Sequence, residues 1–76
     1  MQIYIKNLSG MKRPINIDAG DRIEIIKSFL QEKEGIPVKQ IRLIFGGKQL
    51  VDTQLISETS IVAGSVIHMV IQLRGG

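Results

Sequence analysis

The 76-residue chain has no cysteine, which excludes a disulfide staple, a thiolate zinc site and a cysteine nucleophile of its own. Tryptophan is absent as well, and the aromatic residues amount to one Tyr and two Phe. None of these three sits in a basic-aromatic motif that would stack bases, so nucleic acid is not expected as a partner. No apolar run exceeds three residues, as in Leu43-Ile44-Phe45, so neither a transmembrane segment nor a membrane partner is expected. Met1 to Lys6 alternate and lack the apolar stretch of a signal peptide, and a soluble intracellular domain is the default. Catalytic material is scarce too. A Ser-His-Asp set would have to centre on His68, the single histidine, and no nucleophile-elbow motif accompanies it. Gly47-Lys48 superficially looks like a phosphate loop, but Gln49 stands where Ser or Thr is needed and Arg42 where the first glycine is needed. No metal set or cofactor motif is visible, and an enzyme is not expected.

What the chain does have is aliphatic material. Apolar residues make up 43% of it, and Ile is the commonest. Ten Lys and Arg against seven Asp and Glu leave a net charge of +3, mild for a polyanion binder. A chain of this length buries roughly 60% of its unfolded surface, so one compact domain is the limit. Residues 1–7 read as a strand, with Met1, Ile3 and Ile5 on one face. Ile15 and Ile17 set a second alternating run, and Pro14 inside it marks an edge strand. Asp21 and Glu24 have the spacing of a capping box. Ile23, Ile26 and Leu30 then follow a helical period, widened by Ile25 and Phe29, and Gly35 and Pro37 stop it. Glu24, Glu32 and Glu34 with Lys27 and Lys33 read as that helix's solvated face. Residues 40–45 form a strand, Gly46-Gly47 a hairpin turn, and Lys48 to Leu50 its short return. Residues 51–64 lack a clean period, with Leu55, Ile56 and Ile61 tucked under the core, and residues 65–72 are a final strand. The order predicts an α+β roll, one mixed sheet with a single helix across it.

Two strands break phase in a similar way. Ile41, Leu43 and Phe45 share one face, which leaves Ile44 beside Arg42 on the other. Ile67, Met69 and Ile71 share a face, which leaves Val70 beside His68. If these strands are neighbours, Ile44, His68 and Val70 form one exposed apolar patch, which Leu8 extends and Lys6, Arg42 and Lys48 surround. The plainer alternative is a pair of scattered surface apolars. The last four residues, Leu73-Arg74-Gly75-Gly76, read either as a frayed end or as a tail that threads a narrow enzyme channel and offers its carboxylate.

The segments Met1-Gln2-Ile3, Lys33-Glu34-Gly35-Ile36-Pro37, Arg42-Leu43-Ile44-Phe45, Gly47-Lys48-Gln49-Leu50 and Leu73-Arg74-Gly75-Gly76 resemble, end to end and without a gap, the ubiquitin-like protein modifiers. Within them the chain looks most like the neddylation type and ubiquitin itself. The resemblance implies the β-grasp fold for residues 1–76, with 73–76 as a flexible conjugation tail. It implies activation with ATP at Gly76, next to Gly75, and attachment by an isopeptide bond to target lysines, plausibly of cullins. Leu8, Ile44, His68 and Val70 match the family's recognition patch, and Ile36, Ile71 and Leu73 match a second one. The implied partners are activating, conjugating and ligase enzymes and deconjugating proteases, acting on a monomer in cytoplasm and nucleus. Lys6, Lys27, Lys33 and Lys48 match chain-forming lysines of ubiquitin, whereas Met11, Phe29 and Ala63 replace others. Gln72 stands where ubiquitin has an arginine read by acidic groups on its activating enzyme, and where the neddylation modifier has a small neutral residue. Gln72 is therefore expected to help select the activating enzyme. Ile15, Ile17 and Gly64-Ser65-Val66 also lean toward the neddylation type. Thr59 replaces a family tyrosine that braces the nearby loop. A divergent ubiquitin linked through Lys48, and a non-covalent interaction domain using the patch alone, are the alternatives.

Overall fold

Strand β1 (Gln2–Lys6) pairs with two partners at once, antiparallel with β2 (Lys12–Asn16) and parallel with β5 (Val66–Ile71). β5 in turn pairs antiparallel with β3 (Ile41–Phe45), which turns into the two-residue β4 (Lys48–Gln49). The sheet order is β2-β1-β5-β3-β4, and helix α1 (Ile23–Glu34) is the one long helix among the described residues. The computed structural model describes residues 1–72. This is the expected α+β roll, one mixed sheet with a helix across it.

Pro14 sits in the edge strand β2, where its missing N–H costs the ladder nothing. Met1 and Ile17 exchange both backbone hydrogen bonds, at 2.7 and 2.9 Å. By the alternation of an antiparallel ladder, Pro14 opposite Tyr4 then falls in a non-hydrogen-bonded pair and faces the open edge. At the other hairpin, Gly46 and Gly47 both have positive φ, 61° and 80°. That is the two-residue turn whose twist matches the strands it joins.

Fourteen apolar side chains are buried among the described residues, and ten of them are Ile. No aromatic ring is among them; Phe29 and Phe45 pack against the margin. The helix contributes Ile23, Ile26 and Leu30 as expected, but Ile25 remains 47% exposed. The fourth position of the inward stripe, four after Ile23 and three before Leu30, belongs to Lys27. Lys27 is therefore not part of a solvated face. It is only 7% exposed, and its ammonium lies 2.5 Å from the Asp52 carboxylate.

The capping box expected from Asp21 and Glu24 does not form. Asp21 turns its carboxylate back to the Asp18 N–H at 2.9 Å, and the helix begins one residue later, after Arg22. The free N–H groups of the first turn are met instead by distant carbonyls, Ile23 by Gln54 at 2.9 Å and Glu24 by Asp52 at 3.1 Å. Arg22 adds a 2.6 Å bond to the Thr53 carbonyl. The irregular 51–64 stretch thus caps the helix while burying Ile56 and Ile61; Leu55 is half-buried. Within it Thr59 braces the loop locally. Its hydroxyl donates to the Ile56 carbonyl at 2.6 Å and accepts the Ile61 N–H at 3.2 Å. The Val51 N–H is taken by the Gln54 side chain at 2.8 Å.

The Lys27–Asp52 pair has an asymmetric consequence. Asp52 has a side chain 53% exposed and can be solvated alone, whereas Lys27 cannot. Asp52→Ala is expected to cost about 1–3 kcal/mol by stranding a buried cation. Lys27→Met, which keeps the packed stem, is expected to cost less. Urea unfolding of both variants checks the order; a costlier Lys27→Met would show that the attraction outweighs the burial of the charge.

Candidate functional site

The registers assemble the outer face of the sheet row by row, because paired residues on adjacent strands, about 4.8 Å apart, point to the same side. Ile67 and Met69 are buried under the helix, so Val66, His68 and Val70 face outward. Ile44 pairs with His68, and His68 on its other side pairs with Lys6. Gln49 extends this row beyond Ile44, and Lys12 extends it beyond Lys6. In the next row Val70 pairs with Arg42. Ile44 and Val70 are half-buried by their neighbours and His68 is exposed. The two phase-breaking strands are adjacent, and they bring Ile44, His68 and Val70 together on one surface.

Leu8 lies in the β1–β2 turn, where it is 77% exposed. The parallel β1–β5 pairing ends at Lys6 and His68, and Leu8 follows two residues later in the turn. Asn7 shapes this turn, a role the sequence reading missed. Its side-chain oxygen accepts from the Ser9 N–H at 3.1 Å, the Ser9 hydroxyl at 2.8 Å and the Met11 N–H at 3.0 Å. Gly10, at φ 88°, completes the turn. An Asn three residues before a Gly was the available signal.

The basic rim differs from the one expected. Lys6 and Arg42 flank the apolar residues on the outer face, but Lys48 lies across from Phe45, on the opposite phase of the pleat. Gln49 occupies the position beside Ile44. Lys48 remains exposed at the hairpin end. Arg74 lies outside the described residues, as do Leu73, Gly75 and Gly76.

Of the second group, Ile36 and Ile71 are both half-buried. Ile71 pairs with Ile41 on the helix side of the sheet, and Ile36 packs against the core just after the Gly35 cap at φ 73°. They therefore belong to a different face from Ile44. Gln72 is held at both ends. Its backbone N–H donates to the Gln40 carbonyl at 2.6 Å, and its side-chain oxygen accepts from Arg42 Nε. With that oxygen engaged, the carboxamide NH2 of Gln72 is left to serve as a donor. Among the described residues no three His, Cys, Asp or Glu groups come together as a metal site, and no helix is long and apolar enough to cross a membrane.

The sequence profile of the ubiquitin family matches residues 3–74. The chain is 54% identical over 76 residues to the ubiquitin-like protein NEDD8 of Dictyostelium discoideum, covering 100% of this chain and 99% of that protein. It is 43% identical to ubiquitin-like protein 1 of Schizosaccharomyces pombe, covering 100% and 97%. Against the NEDD8-like protein RUB1 of Saccharomyces cerevisiae the identity is 41%, covering 100% and 99%.

Proposed function

The chain belongs to the ubiquitin family, and from that premise we propose that it is a neddylation-type modifier activated with ATP at the Gly76 carboxylate. The observation that carries this reading is the likeness to NEDD8-like proteins along the whole chain, not over the sheet alone. In the proposed sequence the carboxylate attacks ATP and releases pyrophosphate, leaving an acyl adenylate. A cysteine thiolate of the activating enzyme displaces AMP to give a thioester. A lysine amine of the target, plausibly a cullin, then displaces the thiol and forms the isopeptide bond. Beyond that attacking carboxylate, the thiol and the amine of these steps come from other proteins, in keeping with the chain's lack of cysteine. It is a modifier and not an enzyme.

Leu8, Ile44, His68 and Val70 are the proposed binding face for conjugating and ligase enzymes, readers and deconjugating proteases. Ile36, Ile71 and Leu73 are a proposed second face near the tail. Gln72 is the proposed selector of the activating enzyme. It is neutral and tethered to Arg42, whereas Gln72→Arg would set a second guanidinium beside the first. The modifier is proposed to work as a monomer in cytoplasm and nucleus. Exposure of Lys48 favours one second reading, a divergent ubiquitin that builds chains through that lysine.

Incubation with ATP and, separately, a ubiquitin-type and a neddylation-type activating enzyme tests the choice. A thioester on the neddylation-type enzyme is the expected result, weakened at least tenfold by Gln72→Arg. Charging of the ubiquitin-type enzyme alone would overturn it in favour of the second reading.

A further inference from the structure

All seven carboxylate side chains of the protein lie outside the sheet. Glu24, Glu32 and Glu34 are on α1, and the others fall in the connections at 18–21 and 51–58. Both ion pairs among the described residues, Lys27–Asp52 and Arg13–Glu34, use these groups. The strands carry cations instead, and two of them stand in direct opposition. Lys6 of β1 pairs with Lys12 of β2 on the outer face. By the alternation that leaves Pro14 opposite Tyr4 without a ladder bond, Lys6 and Lys12 are a non-hydrogen-bonded pair too, the kind whose side chains come closest. Like charges so placed repel. Neither lysine forms a salt bridge among the described residues, and His68, flanking Lys6 on its other side, supplies no counter-charge.

We propose that this end of the outer face is a docking site for an extended acidic segment of a partner protein, separate from the Ile44 surface. An opposed pair of lysines lowers the stability of the free fold, and a carboxylate bound between them removes the repulsion. The apolar half of the site is the neighbouring row, where Pro14, Tyr4 and Val66 lie side by side on β2, β1 and β5. Successive rows are two residues apart along the strands, about 6.6 Å. Alternate side chains of an extended segment have that same spacing. A segment laid along β1 therefore meets the Tyr4 row with an apolar side chain and the lysine row, two residues on, with a carboxylate.

Charge and shape favour protein over nucleic acid as the occupant. One ring and two lysines make no succession of stacking platforms for a polynucleotide. The site faces away from the helix, and it does not depend on the tail chemistry.

The test uses the full chain and the peptide acetyl-Leu-Ser-Glu-Glu-amide at low ionic strength, followed by amide NMR. Saturable shifts are expected at Tyr4, Lys6 and Lys12, with a dissociation constant on the order of 1 mM. Lys12→Glu should weaken binding roughly fivefold. The same change turns a repulsive cross-strand pair into an attractive one and should raise the melting temperature of the free chain by roughly 1–4 °C. A purely structural lysine would not set these two effects against each other. Replacing the peptide's glutamates with lysine should abolish the shifts, and replacing its leucine with serine should weaken binding severalfold. Shifts confined to Ile44 and Val70, a Lys12→Glu chain that binds the peptide as tightly or melts lower, or tighter binding of a thymidine trinucleotide of equal charge would each overturn the proposal.

Discussion

Deletion of Gly75 and Gly76 is expected to abolish thioester formation while leaving the melting temperature unchanged. Among the described residues the buried core runs from Ile3 to Met69, and the two deleted glycines carry no side chain to bury. The carboxylate, however, would move back by about 7 Å, two residues of extended chain. It would then sit on Arg74, whose long, charged side chain needs room that glycine does not. Reactions of this kind depend on placement within about an ångström, so the loss should be complete and not graded. A non-reducing gel of activating enzyme, ATP and each form checks it through a thiol-sensitive adduct. If the truncated chain still performed its cellular role, the fold would be acting as a non-covalent module.

The second large effect contrasts two neighbours on β3. Leu43→Ala is expected to cost about 2–5 kcal/mol of stability, because Leu43 is fully buried against the helix and leaves a cavity. Ile44→Ala, one residue on and facing outward beside His68, is expected to leave stability nearly intact. It should instead weaken binding of conjugating enzymes by about 1–3 kcal/mol. Urea unfolding and calorimetric titration of both variants separate the two outcomes. Equal loss of stability in both would place Ile44 in the core and remove the case for a binding face.

Much of this was legible from period and phase. The alternation at Ile3 and Ile5, the Ile23–Ile26–Leu30 spacing, the Gly46-Gly47 turn and the edge position signalled by Pro14 are local properties of neighbouring residues, and local physics decides them. The phase break at Ile44 and Val70 needed one assumption, that β3 and β5 are adjacent. The misreadings share a different origin. Lys27 looked solvated because its partner, Asp52, stands 25 positions away on an irregular stretch. The capping box at Asp21 failed because carbonyls of Asp52 and Gln54 had already met the helix N–H groups. Lys48 was assigned to the rim by composition, whereas the β3–β4 register sets it opposite Phe45. The Arg13–Glu34 pair joins a strand and a helix end that no local pattern connects.

The parallel pairing of β1 with β5 also carries a consequence for how the protein comes into being. The first and last strands of the sheet lie side by side at its centre, so their contacts span most of the chain and are among the slowest to close. During synthesis β1, β2, α1 and β3 emerge before the strand that joins β1 to β3. Until Val66 to Ile71 arrive, the sheet is two unconnected hairpins. His68 and Val70 come with that same strand. A nascent or half-folded chain therefore cannot display the outer face to its partners, and assembly of the domain and appearance of its binding surface are a single event.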